Sequence, residues 1–66
     1  MTPEHLELLA HRAGCKLPRV MARKRRDDSV CHAVLFTSNM GRKDVEIELN
    51  DTDEAALQKL EAAKSG

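Results

Sequence analysis

Val30-Cys31-His32-Ala33-Val34-Leu35-Phe36-Thr37 decides the fold. The run is near-continuously apolar, which is the pattern of a central strand covered on most of both faces. Downstream, Val45-Glu46-Ile47-Glu48-Leu49 alternates cleanly, so it reads as a strand with one buried and one wet face. Between the two, Ser38-Asn39-Met40-Gly41-Arg42 reads as a turn, since Asn39 and Gly41 tolerate positive φ. Upstream, Arg19-Val20-Met21-Ala22-Arg23 makes a first strand. Pro18 has no N–H and belongs at its start or on an edge. The polar stretch from Lys24 to Ser29 joins it to the central strand.

A helix flanks the strands on each side. Thr2-Pro3-Glu4 opens the first: Thr2 accepts from an orphan N–H, Pro3 suits the first turn, and Glu4 suits the positive end of the dipole. Leu6, Leu9, Ala10 and Ala13 form one apolar stripe, and Gly14 is the natural stop. The second begins at Asn50-Asp51-Thr52-Asp53-Glu54, with Asp51 expected as N-cap and Glu54 completing a capping box. Ala56, Leu57, Leu60 and Ala63 follow helical spacing, and Ser65-Gly66 is expected to fray.

The expectation is therefore a single small α+β domain over 1–66, in α-β-β-β-α order. The helices should span 3–13 and 52–64, and the strands 18–23, 30–37 and 44–49. Short connections favour a three-stranded antiparallel meander, and single apolar stripes put both helices on one face. The expected core is Leu6, Leu9, Ala10, Val20, Val34, Phe36, Val45, Ile47, Leu49, Leu57 and Leu60. Cys31, Ala33 and Leu35 on the opposite face would leave an adhesive patch suited to a dimer or a partner.

Composition narrows the function. The chain has 66 residues, with eleven Lys+Arg against eleven Asp+Glu. It has one aromatic, Phe36, so no stacking platform for single-stranded bases exists. Charge is sorted, however. Arg12 to Arg26 holds seven cations and no anion, while Asp44 to Glu61 holds seven anions and one Lys. Either the blocks pair with each other, or the basic block is a footprint for nucleic acid. No run reaches the 18 apolar residues of a membrane span, and no basic-then-apolar leader follows Met1. A complete small cytoplasmic protein, away from membranes, is the expectation. Cys15 and Cys31 are too few for a disulfide scaffold and are expected as free thiols.

The order of elements, with Leu9-Ala10-His11-Arg12-Ala13-Gly14, Lys16-Leu17, His32-Ala33, Phe36-Thr37, Glu54-Ala55 and Glu61-Ala62-Ala63, resembles the double-stranded-RNA-binding domain over nearly the whole chain. The resemblance implies RNA contacts from the first hairpin loop, which probes a minor groove. It also implies a lysine cluster at the start of the last helix. Here Asp51-Thr52-Asp53-Glu54 stands in that place, with the wrong sign for phosphate. The family's Gly-Pro before the loop histidine is replaced by Ser29-Val30-Cys31. Members of the family that lose their lysines often act as protein-binding or dimerising modules.

Chemistry-bearing residues are sparse. His5, His11, Cys15, Cys31 and His32 invite a metal, but Cys31 and His32 are adjacent on a strand and point to opposite faces. No metal and no cofactor are expected. His32 permits a small RNase toxin using it as general acid or base, as in the mRNA interferases that share this fold. No second catalytic group accompanies it, so no enzyme is expected. Arg23-Lys24-Arg25-Arg26 is the most distinctive stretch. The leading reading is a non-enzymatic module that binds structured or duplex RNA through Arg19, Arg23, Lys24, Arg25, Arg26 and His32. The alternative is a protein-interaction, inhibitor or dimerisation module, of the kind a phage or plasmid accessory factor would be, meeting a host protein with an acidic surface.

Overall fold

The structure, a computed structural model, describes residues 1–39 and 41–65, and for Ser65 the backbone only. Five elements run in the expected order: α1 (Pro3–Arg12), β1 (Arg19–Lys24), β2 (Val30–Ser38), β3 (Gly41–Glu48) and α2 (Asp53–Ser65). The strands form one antiparallel sheet in the order β1-β2-β3. The fold is α+β.

The termini of α1 follow local chemistry. Thr2 Oγ1 accepts from the His5 N–H at 3.2 Å, and Pro3 occupies the first turn. At the other end Gly14 takes φ +101°. Its N–H reaches His11 O at 3.0 Å, while the Cys15 N–H reaches Ala10 O at 2.9 Å. This is a Schellman closure, which a residue with a Cβ would strain. α2 differs from expectation. Thr52, not Asp51, is its cap: Thr52 Oγ1 accepts from the Ala55 N–H at 3.2 Å. The Asp51 carboxylate instead turns back onto the Glu48 N–H at 3.0 Å and receives Lys59 Nζ at 2.6 Å. It stitches the end of β3 to α2 rather than starting the helix.

β3 begins at Gly41, earlier than expected, because Ser38 pairs directly with Gly41 and Thr37 with Arg42. Arg42 is thus a strand residue rather than a turn residue. Gly41 takes φ +111°. Met40 and Gly66, which fell in the expected turn and the expected frayed end, lie outside the described residues. Leu49 does not enter the core: β3 stops at Glu48, a turn bond joins the Asp51 N–H to Glu48 O, and Leu49 is 45% exposed.

Cross-strand partners share a face, so the register sorts the side chains. Val20-Val34-Val45 and Ala22-His32-Ile47 face the helices. There Leu6, Leu9, Ala10 and Ala13 from α1 and Ala56, Leu60 and Ala63 from α2 close on Val34, Phe36 and Ile47. Both helices therefore cover one face. Val20, Val45 and Leu57 pack at the margin of this core.

The opposite, open face carries Arg19-Leu35-Asp44, Met21-Ala33-Glu46 and Arg23-Cys31-Glu48. Cys31 and Ala33 are nevertheless buried, at 0% and 2% exposure. No adhesive patch forms at them, because long charged side chains from the flanking strands lie across the small residues of β2. Cys15 and Cys31 are free and buried. Cys15 Sγ accepts from the Thr37 N–H at 3.3 Å, tying the end of α1 to β2.

The molecule measures 33 × 20 × 17 Å. β2, with nine residues at about 3.4 Å each, spans roughly the longest of these. One end of that axis holds the β1–β2 hairpin and the N-termini of both helices. The other holds the β2–β3 hairpin and both helix C-termini.

Candidate nucleic-acid interface

The β1–β2 hairpin contains the cations on which the sequence reading rests. Its loop closes through Arg25 N–H to Ser29 O at 2.8 Å and Asp28 N–H to Arg25 O at 3.1 Å, with Asp28 at φ +68°. That is a three-residue turn ending in a left-handed residue, a position an aspartate tolerates better than most side chains. Asp27 Oδ1 accepts from the Ser29 hydroxyl at 2.7 Å and from the Ser29 N–H at 3.1 Å. These bonds hold the Asp27 carboxyl below its ordinary range, the hydroxyl contributing most.

Three of the hairpin's four cations, Arg23, Lys24 and Arg25, are already occupied. Arg23 Nη2 lies 2.5 Å from Asp44 Oδ2, and its Nη1 lies 3.4 Å from Glu46 Oε2. Arg25 forks Glu48, with Nη1 at 3.1 Å from Oε2 and Nη2 at 2.5 Å from Oε1, and its Nε is 3.5 Å from Glu46. The fork raises the Arg25 guanidinium and depresses the Glu48 carboxyl, each through hydrogen bonding to the other. Arg23 is raised likewise, first by Asp44 and then by Glu46. Lys24 meets Asp28 at 3.5 Å. β1 and β3 run parallel on either side of β2, so Arg23 stands level with Glu48, and its neighbours with Glu46 and Asp44. The basic block and the acidic block of the sequence meet there.

Of the remaining expected contact residues, Arg19 is on the open face near the other end and Arg26 is exposed at the loop tip. Neither has an ion-pair partner among the described residues. His32 is buried on the helix side, where its Nε2 is 2.9 Å from Met1 O. It lies across the sheet from Arg23 and does not join the loop's cations. Among the described residues, no three His, Cys, Asp or Glu side chains converge as a metal ion requires. No described helix is long and apolar enough to cross a membrane.

A different set of cations is unoccupied. Arg12 in the last turn of α1, Lys16, Arg19, Arg42, Lys43 and Lys64 make no ion pair among the described residues. All six lie toward the β2–β3 hairpin end. The backbone places them: the Lys16 N–H bonds Thr37 O at 3.2 Å, and Lys16 Nζ reaches Asn39 Oδ1 at 2.8 Å. Arg42 and Lys43 pair with Thr37 and Phe36, and Lys64 lies against Gly14. Gly14, Lys16, Ser38, Asn39 and Lys64 line one shallow depression there. Sequence reading placed Arg42 in the turn and assigned no ligand contact to Arg42, Lys43 or Lys64. The signal that finds them is strand parity. Once the tight β2–β3 turn fixes the register, Arg23 falls level with Glu48 and Arg42 lies opposite Thr37. Arg19 is level with Asp44, but Asp44 is held by Arg23.

The chain matches no protein-family model, no curated protein and no solved structure. Its topology is helix-strand-strand-strand-helix with a three-stranded antiparallel sheet, which is consistent with the fold that the resemblance implies.

Proposed function

We propose that this chain is a small non-catalytic module that binds structured RNA through phosphate contacts. The observation that carries the reading is the collection of unpaired cations at one end of a formally neutral molecule. The 33 Å length exceeds a Debye length of about 8 Å at physiological ionic strength several-fold, so the acidic end does not cancel this local field. With Phe36 buried in the core, contacts to backbone phosphate rather than base stacking are the available mode. On this reading the α-β-β-β-α topology is a descendant or mimic of the RNA-binding family whose grip has moved from the first hairpin to the opposite end.

The test is retention of a labelled RNA stem-loop measured against salt. The expected result is a logarithmic affinity that falls linearly with the logarithm of salt, by about 0.7–0.9 per phosphate engaged. A flat salt response, or no retention at low salt, refutes it. A second reading has one observation of its own. Leu17 and Met21 are 74% and 52% exposed on or beside the open face, which favours a protein partner. Association that survives high salt, and is lost on Leu17→Ser with Met21→Ser, would favour that reading.

A further inference from the structure

We propose that Arg19 and Arg42 form a cleft on the open face of the sheet that holds the 5′-phosphate and first nucleoside of a nucleic-acid strand. The inference rests on the RNA-binding reading and names the group recognised. Arg19, Arg42, Leu17, Leu35 and Thr37 line one cleft of about 260 Å³. Arg19 is paired with Leu35 and Arg42 with Thr37, so the two arginines approach the same stretch of β2 from opposite edges.

Two exposed positive groups at one cleft can accept a counter-charge, and no described residue is ion-paired to either of them. Asp44 is the carboxylate level with Arg19 across β2, but its Oδ2 is held by Arg23 at 2.5 Å, toward the other end. Arg23 thereby leaves Arg19 open. Guanidinium forks suit phosphate oxygens, and a pair of them suits a group with more than one charge. A terminal phosphate carries about −1.5 to −2 at neutral pH, against one charge for a backbone diester. The Thr37 hydroxyl adds a neutral donor or acceptor. Leu17 and Leu35 offer an apolar floor on which a ribose or base face lies without a specific edge contact. The volume is below the roughly 300–1,000 Å³ of pockets that enclose drug-sized ligands, which suits one nucleotide rather than a length of strand.

The experiment titrates the isotope-labelled full chain with adenosine 5′-monophosphate, with adenosine alone, and with an acidic peptide, and follows backbone amide signals. In parallel, stem-loop RNAs with a 5′-phosphate or a 5′-hydroxyl are compared. The monophosphate should shift Arg19, Leu35, Thr37 and Arg42, and adenosine should not. Arg19→Ala with Arg42→Ala should remove the shifts while the remaining spectrum stays dispersed. The 5′-phosphate should raise RNA affinity about three- to tenfold in the unaltered chain and in Lys16→Ala with Lys64→Ala, but not in the double arginine variant. No shift with the monophosphate, equal shifts with adenosine, or larger shifts with the acidic peptide overturns the cleft. Equal affinity for the two RNAs also overturns it while leaving RNA binding intact. Monophosphate shifts at these four residues without RNA retention support the cleft and remove the RNA-binding reading.

Discussion

The two hairpin ends of this molecule each hold several cations and differ in what those cations touch. At the β1–β2 end Arg23, Lys24 and Arg25 lie within 2.5–3.5 Å of carboxylates. At the β2–β3 end Arg12, Lys16, Arg19, Arg42, Lys43 and Lys64 have no such partner among the described residues. A run of four cations in sequence is therefore the less available of the two surfaces. Exposed ion pairs are individually weak, so a phosphate could displace one. The displaced carboxylates would still remain beside it, and Asp44, Glu46 and Glu48 stand in a row. What a cation offers a ligand depends on which acid its strand neighbour brings alongside.

The largest expected effect tests this ranking directly. Replacing Lys16, Arg42 and Lys64 with Ala should lower the salt slope of RNA binding by about 2.1–2.7, three phosphate contacts at roughly 0.7–0.9 each. Replacing Arg23 and Arg25 with Ala should lower it by less than about 1. A larger loss from the arginine pair would reverse the comparison and return the interface to the first hairpin.

The next effect is a gain. Glu46→Gln with Glu48→Gln removes the two carboxylates that occupy Arg25, one of which, Glu46, also touches Arg23, while Asp44 still holds Arg23. One freed contact would add up to about 0.9 to the salt slope, with affinity rising at low salt. Unchanged binding would mean that the first hairpin is remote from the nucleic acid even when its cations are released.

Acid should separate the ends through stability. Glu48 is depressed from its ordinary 4.5 by the Arg25 hydrogen bonds, and Asp51 from 3.8 by its hydrogen bond from Lys59. A carboxylate with a depressed folded value stabilises the native state fully above its unfolded value. That contribution is lost as pH falls through the folded value. Tm should hold down to about pH 4.5 and then decline. Glu48→Gln with Asp51→Asn should flatten the decline. An equally steep decline in that variant would place the acid-labile groups elsewhere.

The element order was legible because each strand and helix carries its own signal: the apolar run at 30–37, the alternation at 45–49, the stripe from Leu6 to Ala13, and Gly14 as a stop. Boundaries were less so, since they depend on bonds between elements. Asp51 and Thr52 both have the chemistry of a cap, and only the turn that draws Asp51 onto the Glu48 N–H decides for Thr52. Thr52→Ala should accordingly cost about 1 kcal/mol in chemical denaturation. Leu49 continued the alternation on paper but lies past the last ladder pair. The candidate site was the least legible part. Its charges were visible, but their pairing requires the register of two hairpins at once. Local reading therefore named the dense cluster at Arg23–Arg26 and passed over the dispersed one.

The smallest effect concerns a single contact at the loop tip. Lys24 and Asp28 are both largely exposed and 3.5 Å apart, and Asp28 occupies the left-handed position that closes the turn. Asp28→Asn keeps a side chain that tolerates this conformation and removes only the charge. Stability should change by no more than about 0.5 kcal/mol, as for most exposed pairs. Lys24 would then join Arg26 as an unpaired cation at the first hairpin. If the interface is the opposite end, the salt slope should remain unchanged within error. A rise of nearly one would mean that Lys24 reaches a phosphate once released, and that the hairpin is limited only by its acids.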